Sequence, residues 1–159
     1  MKTAVVRECS GVEMPGLYTL DLRKTQVRDC TGCWSCWLKT PGRCVCRDLD
    51  GFYRAWLDAD KVIIFTQVSK GFVSGKLKTL FDRMLPLYLP YITYKSGESM
   101  HLPRYAKYPE AEVYYQGEFA SAEEKKHYED YIRRVFYHFR SKCDAVRPIA
   151  QFALQEADR

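Results

Sequence analysis

The sequence predicts a single α/β domain in which a mainly parallel sheet carries helices on both faces. Short apolar runs typical of strands alternate along the chain with longer segments whose apolar residues recur at helical spacing. The clearest unit is the buried run Val62 to Phe65, the polar loop Thr66 to Gly75 and the helix that follows. The length of 159 residues suits one domain, so residues 1–159 are assigned to it.

The first two predicted strands, Thr3 to Val6 and Leu17 to Leu22, lie unusually close together in the chain. Residues 9–16 between them show no helical pattern. A parallel crossover with its helix needs about 10–12 residues. Either the two strands form an antiparallel hairpin, or the usual first β-α unit is absent.

The middle of the chain predicts a helix, a central strand and a second helix. Asp48 is the expected N-cap of the first helix, which ends near Asp58 and buries its apolar face. The strand begins at Lys61, and the helix after the polar loop ends at Pro86 because proline cannot continue it.

The segment after Pro86 predicts a small hairpin outside the main sheet. Tyr91 to Tyr94 is expected to pair with Ser99 to Leu102 across a glycine-bearing turn. His101 lies on this hairpin and is interpreted as a surface residue, so no catalytic side chain stands out.

The C-terminal third predicts a strand, a long helix and an edge strand. The strand covers Glu112 to Phe119, and Ser121 with Glu124 has the pattern of a capping box. The helix it opens runs to about Arg140. Ala145 to Ile149 is expected to be an edge strand because of its proline, and residues 151–159 are interpreted as a short helix or a frayed end.

Composition and charge exclude several classes of function. Hydrophobic residues make up 47% of the chain and charged residues 28%, as in folded globular proteins. The net charge of +5 is modest and spread out, which argues against a nucleic-acid groove. No apolar run is long enough to span a membrane and no signal-peptide pattern opens the chain, so a cytoplasmic protein is expected.

Seven cysteines are many for such a protein, and five of them lie between Cys30 and Cys46. The spacing C-x2-C-x2-C-x7-C is formed by Cys30, Cys33, Cys36 and Cys44, with one cysteine to spare. Four thiolates suit an iron–sulfur cluster or a tetrahedral zinc ion. The alternative is that these cysteines are free thiols with a packing role.

The run from Val68 to Lys78, followed by Phe81-Asp82-Arg83, resembles the flavin-contacting loop and helix of NAD(P)H-dependent FMN reductases. Together with the cysteine spacing it resembles the iron–sulfur flavoproteins within that group. The resemblance covers about two thirds of the chain, from near Leu17 to about Phe119. Nothing between Met1 and Gly16 matches the glycine- and serine-rich phosphate loop that binds FMN in such chains.

The resemblance implies a flavodoxin-like three-layer sandwich whose first β-α unit is shortened or replaced. It implies a [4Fe-4S] cluster on the four cysteines named above and a homodimer or higher homo-oligomer that contacts through Leu87 to Tyr105. It also implies FMN binding by residues of the polar loop. These are Thr66, Gln67, Val68, Ser69, Lys70, Gly71, Phe72, Ser74 and Gly75.

The leading functional hypothesis is an FMN-dependent NAD(P)H oxidoreductase that passes electrons, through the cysteine-bound cluster if one is present, to an unnamed acceptor. The chemistry would belong to the cofactor. Two alternatives stay open. One is a flavodoxin-like remnant without flavin that acts as an interaction module, which the missing phosphate loop and the 12 tyrosines favour. The other is a flavin-free metal–thiolate protein.

Overall fold

The computed structural model describes residues 1–152, so most of the C-terminal tail interpreted above as a helix or a frayed end lies outside the described residues. The strands of this part, in chain order, are β1 (Thr3–Arg7), β2 (Tyr18–Asp21), β3 (Lys61–Ser69), β4 (Phe72–Val73), β5 (Tyr88–Thr93), β6 (Met100–Pro103), β7 (Glu110–Gln116) and β8 (Cys143–Pro148). The helices are α1 (Ser35–Leu38), α2 (Asp50–Asp58), α3 (Gly75–Asp82) and α4 (Ala122–His138), and a 3-10 turn covers Leu85–Leu87.

The main sheet has the strand order β2-β1-β3-β7-β8, and all neighbours along this path are parallel. The short strand β4 pairs antiparallel with the end of β3. The five long strands thus follow the doubly wound order 2-1-3-4-5 of flavodoxin-like proteins. The predicted fold class is confirmed.

Strands β1 and β2 are joined without a helix. They pair in parallel, with Ala4 opposite Tyr18, so the antiparallel alternative is wrong. The connecting loop lies close to β1 at Gly16, where an added Cβ would be 2.8 Å from the carbonyl oxygen of Thr3. Because glycine permits this close approach, a short loop replaces the usual first β-α unit.

One face of the sheet carries the main core. Its residues come from alternate positions of the strands and from the inner faces of α2, α3 and α4, which shows that these three helices cover the same face. Large, fully buried side chains of this core include Trp56, Phe52, Tyr128 and Phe136, each at most 2% exposed.

The opposite face is covered differently. Val5, Ile63, Phe65 and Tyr114 point to this side and form a second, smaller cluster. In residues 1–152 this cluster is closed by Phe152, from the helical turn at 150–152, and by Val12 and Met14 of the helix-free loop. The loop therefore covers part of the sheet face that the first helix of a complete β-α unit would cover.

The helix termini were predicted with mixed success. Ser121 caps α4 as expected, since its Oγ accepts a hydrogen bond of 3.1 Å from the Glu124 N–H. Asp48 does not cap α2, whose N-cap is Leu49 without a side-chain bond. The Asp48 carboxylate is instead held by the guanidinium of Arg83 at 2.5 Å, because a buried cation is a stronger partner than a helix N–H.

The predicted hairpin outside the main sheet is confirmed. Strands β5 and β6 form a separate two-stranded antiparallel sheet. Its outer side chains Tyr91, Ile92 and Tyr94 are 51–70% exposed, and a subunit contact through them stays a prediction. Over residues 1–152, none of the helices combines the length and the apolar character that crossing a membrane requires.

Candidate functional site

The sheet has one topological switch point, between β1 and β3. The connection after β1 leads to β2 on one side, and the chain after β3 moves away on the other. Ligands of open α/β sheets bind in the crevice outside the carboxyl ends of such strands. Here those ends are Arg7-Glu8 and the segment that begins at Thr66.

Glu8 occupies this crevice. Its Oε2 accepts hydrogen bonds from the Thr66 hydroxyl at 2.7 Å and from the Gln67 N–H at 3.2 Å. Its Oε1 accepts a third bond from the Ser74 hydroxyl. The backbone N–H of Glu8 also donates to the Phe65 carbonyl at 2.8 Å, which fixes the residue between the two strands. Three neutral donors therefore converge on one carboxylate.

The predicted polar loop is folded as a tight hairpin. Strand β3 continues to Ser69, and the chain turns at Lys70 and Gly71, where φ is 50° and 72°, before β4 pairs back. Positive φ at both central residues is the pattern of the type I′ hairpin turn. The segment predicted as a polar loop, Thr66 to Gly75, is instead a hairpin, since Val68 and Val73 face each other across this ladder.

The hairpin is pressed against α4. The Phe72 and Tyr131 rings lie 4.6 Å apart between centroids. A Cβ on Gly71 would come within 1.9 Å of the Glu124 carboxylate. The close backbone approach expected at Gly71 is thus made to α4. A larger residue at this position would have to displace the Glu124 side chain and would be strained at its φ of 72°.

The nine residues predicted to bind the cofactor fall into three groups. Thr66 and Ser74 have their hydroxyls engaged by Glu8, and Ser74 also caps α3 by accepting a bond of 3.0 Å from the Leu77 N–H. The exposed members along the hairpin and at the start of α3 are Gln67, Ser69, Lys70, Phe72 and Gly75. Val68 and Gly71 are half-buried.

The cysteines form a second site at the other end of α3. A small cavity of about 30 Å³ is lined by all five cysteines of this stretch, which are Cys30, Cys33, Cys36, Cys44 and Cys46. Hydrogen bonding from Ser35 lowers the pKa of the exposed Cys33 thiol. Burial, and then the nearby Cys44 thiol, raises the pKa of Cys36.

The thiols share this cavity without converging on a common point. Within residues 1–152, no three or more His, Cys, Asp and Glu side chains are arranged so that they could hold a metal ion. The donor chemistry of the four predicted ligands fits an iron–sulfur cluster, but their arrangement as described does not.

The cysteine stretch is anchored to the end of α3. Arg83, which is 2% exposed, donates to the Arg28 carbonyl and to the Asp48 carboxylate. The indole N–H of Trp37 donates to the carbonyls of Leu85 at 3.2 Å and Tyr88 at 3.0 Å. These bonds hold the cysteine stretch against the 3-10 turn.

Trp34 stands out at the start of α1. It is the N-cap residue with φ of 56°, a left-handed conformation that is uncommon for an aromatic residue, and its side chain is 59% exposed. The exposed indole lies in the wall of the cysteine cavity. Trp34 is therefore not part of the core, because the backbone turns this side chain outward.

The sequence reasoning missed Glu8 and Arg83. Glu8 directly follows the first strand, and a polar side chain at the carboxyl end of a strand beside the switch point is a usable signal for a site residue. Arg83 gave no comparable signal, since its partners Arg28 and Asp48 lie far away in the chain.

Two curated proteins match part of the chain. An iron–sulfur flavoprotein of Archaeoglobus fulgidus is 35% identical over 95 residues, which cover 58% of this chain and 41% of that protein. An iron–sulfur flavoprotein of Methanocaldococcus jannaschii is 34% identical over 89 residues, which cover 54% of this chain and 45% of that protein. The chain is thus similar to part of two iron–sulfur flavoproteins, and its sheet has the flavodoxin-like strand order.

Solved structures share the fold of this chain. A flavone reductase superposes on 100% of this chain with a TM-score of 0.60 at 16% identity, over 58% of its own length. The azoreductase AzrA superposes on 99% of this chain with a TM-score of 0.58 at 12% identity, over 92% of its own length. No family model matches the sequence.

This chain spans less than half the length of the two curated relatives described above. The alignments cover 41% and 45% of their lengths. The activity of those whole proteins is therefore taken up only as a proposal.

Proposed function

We propose that this protein is a flavin-dependent oxidoreductase that binds FMN at the β1/β3 switch point and uses NAD(P)H as its electron donor. The observation that carries the proposal is the convergence of donors from Thr66, Gln67 and Ser74 on one anionic group at the carboxyl edge of a 2-1-3-4-5 sheet. Flavodoxin-like proteins bind FMN at this edge.

The residues at this edge of the sheet are suited to bind the ring of a flavin. The hydroxyl and N–H groups at this edge donate to the Glu8 carboxylate, so they are arranged around the position of an anionic group. The exposed side chains of Gln67 and Ser69 on the hairpin offer further polar groups beside it. A bound flavin would supply hydride and electron transfer, while the side chains of Gln67 and Ser69 would hold and orient its ring.

The rigidity of the hairpin supports this role. Its turn is fixed by the ladder between β3 and β4, and its outer side is supported by α4 through Phe72 and Gly71. Binding groups on such a pre-formed element lose little conformational entropy when a ligand binds.

Flavin binding is tested by titrating FMN fluorescence with the purified protein. We expect the fluorescence to be quenched on binding, and the affinity to fall by about tenfold in the double variant Gln67→Ala/Ser69→Ala, since about 1.4 kcal/mol of polar contact corresponds to that factor. Ser96→Ala, an exposed serine in the β5–β6 turn, is the matched control and should leave the affinity unchanged. If FMN fluorescence stays that of the free flavin in excess protein, the proposal fails and a flavin-free module is favoured.

The cysteine cavity supports a second element of the proposal, a cluster of the kind named in the curated relatives. Five thiols around one small cavity are the observation in its favour. Binding would require the thiols to move together, because they do not converge in the described structure.

Cluster binding is tested by anaerobic reconstitution with iron and sulfide. We expect brown absorbance and bound iron that are lost in Cys33→Ser and Cys36→Ser. Cys143, on β8 and outside the cavity, is the matched control, and Cys143→Ser should keep the iron. Equal iron contents in all three variants would mean that iron binds nonspecifically.

A further inference from the structure

The crevice at the β1/β3 switch point has the properties of a built anion site. Its three donors come from separate places: the buried Thr66 hydroxyl and the Gln67 N–H at the end of β3, and the hydroxyl of Ser74, which is also the N-cap of α3. The positive end of a helix dipole and neutral hydrogen-bond donors together favour a bound anion.

The anion that occupies this site is the carboxylate of Glu8, a residue of the chain itself. In residues 1–152, no Lys, Arg or His side chain lies within ion-pair distance of Glu8. The nearby Arg7 is directed to Asp21, with Nη2 to Oδ2 at 3.1 Å, and to Glu13 at 3.8 Å. The Glu8 carboxylate is therefore held by the same kind of neutral donors that bind an oxyanion ligand.

We infer that Glu8 is a specificity-determining residue that excludes the phosphate of a phosphorylated ligand from this site. A phosphate and the carboxylate need the same donors, and two like charges cannot share them without strong repulsion. The loop that follows Glu8 adds no cation, since residues 9–16 contain Glu13 and neither Lys nor Arg. As far as it concerns FMN, this inference rests on the proposed function; the anion site itself does not.

The consequence is a flavin site that recognises the ring and ignores the phosphate. The unmodified protein should bind FMN no more tightly than riboflavin, which has the same ring and no phosphate. Removing the carboxylate frees the Thr66 and Ser74 hydroxyls and the Gln67 N–H for a phosphate group.

The test compares the unmodified protein with Glu8→Ala, Glu8→Gln and the control Glu13→Ala. The control removes the same charge from the same loop, and Glu13 is 92% exposed with only the long contact to Arg7. Thermal unfolding is measured with and without inorganic phosphate, at constant ionic strength set with chloride. Dissociation constants for FMN and riboflavin are measured by fluorescence.

We expect phosphate to raise the Tm of Glu8→Ala and to leave the unmodified protein and Glu13→Ala unchanged. We expect Glu8→Ala to bind FMN at least about tenfold more tightly than the unmodified protein, with riboflavin binding little changed, as one recovered charge-assisted hydrogen bond would give. Glu8→Gln keeps the shape of the side chain without its charge, so it should show a smaller gain of the same sign. Glu8→Gln also tests the inference if Glu8→Ala does not fold.

Two outcomes would overturn the inference. One is phosphate raising the Tm of the unmodified protein as much as that of Glu8→Ala, and the other is neither Glu8 variant responding to phosphate or gaining affinity for FMN. If phosphate stabilises Glu8→Ala while neither flavin binds any of the proteins, the anion site and its occupation by Glu8 stand. The proposed function then fails separately.

Discussion

Replacing Arg83 with methionine is expected to lower the free energy of unfolding by about 3 kcal/mol, the lower end of the range for breaking a buried ion pair by removing one partner. The Arg83 side chain is 1% exposed and its guanidinium lies 2.5 Å from the Asp48 carboxylate. Its loss leaves Asp48 without a cation and the Arg28 carbonyl without this donor. The lower end applies because Asp48 is 19% exposed and keeps the Arg28 N–H at 2.9 Å.

Urea unfolding of Arg83→Met beside two further variants checks this prediction. In Arg83→Met/Asp48→Asn the carboxylate charge is removed as well, so we expect part of the stability to return. Lys78→Met is the matched control on the same helix. Its ion pair with Asp82 is about half exposed on both sides and should contribute under about 1 kcal/mol. If Arg83→Met were no less stable than Lys78→Met, the buried pair would have no special role.

The same pair gives the stability a pH dependence of known sign. Burial raises the pKa of Asp48, but hydrogen bonds from Arg83 and from the Arg28 N–H outweigh it, so the pKa lies below the ordinary value of 3.8. The contribution is therefore fully present above that ordinary pKa and is lost as the pH falls below it. In Arg83→Met, the free energy of unfolding measured as a function of pH should fall less steeply on the acid side of the ordinary pKa of Asp48.

Phe136→Ala is expected to lower the free energy of unfolding by about 3–5 kcal/mol, the usual effect of truncating a buried phenylalanine. Phe136 is fully buried at the centre of the helical layer. Its ring lies 6.3 Å from Trp56 of α2 and 6.0 Å from Phe81 of α3. Truncation leaves a cavity where all three helices meet, and partial collapse of that cavity decides where in the range the loss falls.

Tyr137→Ala is the neighbouring control on the same helix. Tyr137 is 41% exposed, and its ring contacts Arg134 at 5.6 Å, an exposed cation–π pair that contributes about 0.5–1 kcal/mol. The free energies of unfolding of the two variants are compared by urea unfolding, with the same m-value used for both. A loss for Phe136→Ala as small as that for Tyr137→Ala would show that the three helices do not share one rigid core.

Features set by local patterns were predictable from the sequence. The central strand with its apolar run from Val62, the N-cap Ser121 and the β5–β6 hairpin all depend on residues close together in the chain. Each of them was found as expected, because periodicity and capping act over a few residues.

Features that depend on distant partners were not predictable. Glu8 finds its donors 58 and 66 residues further along the chain, and Asp48 leaves its expected capping role for a cation 35 residues away. The parallel pairing of β1 and β2 was left open because no local signal marks the close approach at Gly16. Nor did polarity alone reveal that the Thr66 to Gly75 segment closes on itself as a hairpin.

The helix-free crossover between β1 and β2 also shapes how the sheet can assemble. Arg7 of β1 meets Asp21 of β2 across 14 residues, whereas Lys2 meets Asp60, beside β3, across 58. The entropy lost on closing a loop grows with its length, and pairings that are distant in sequence slow folding. We therefore expect β1 and β2 to pair early during folding, and the joining of β1 to β3 to be the slower event.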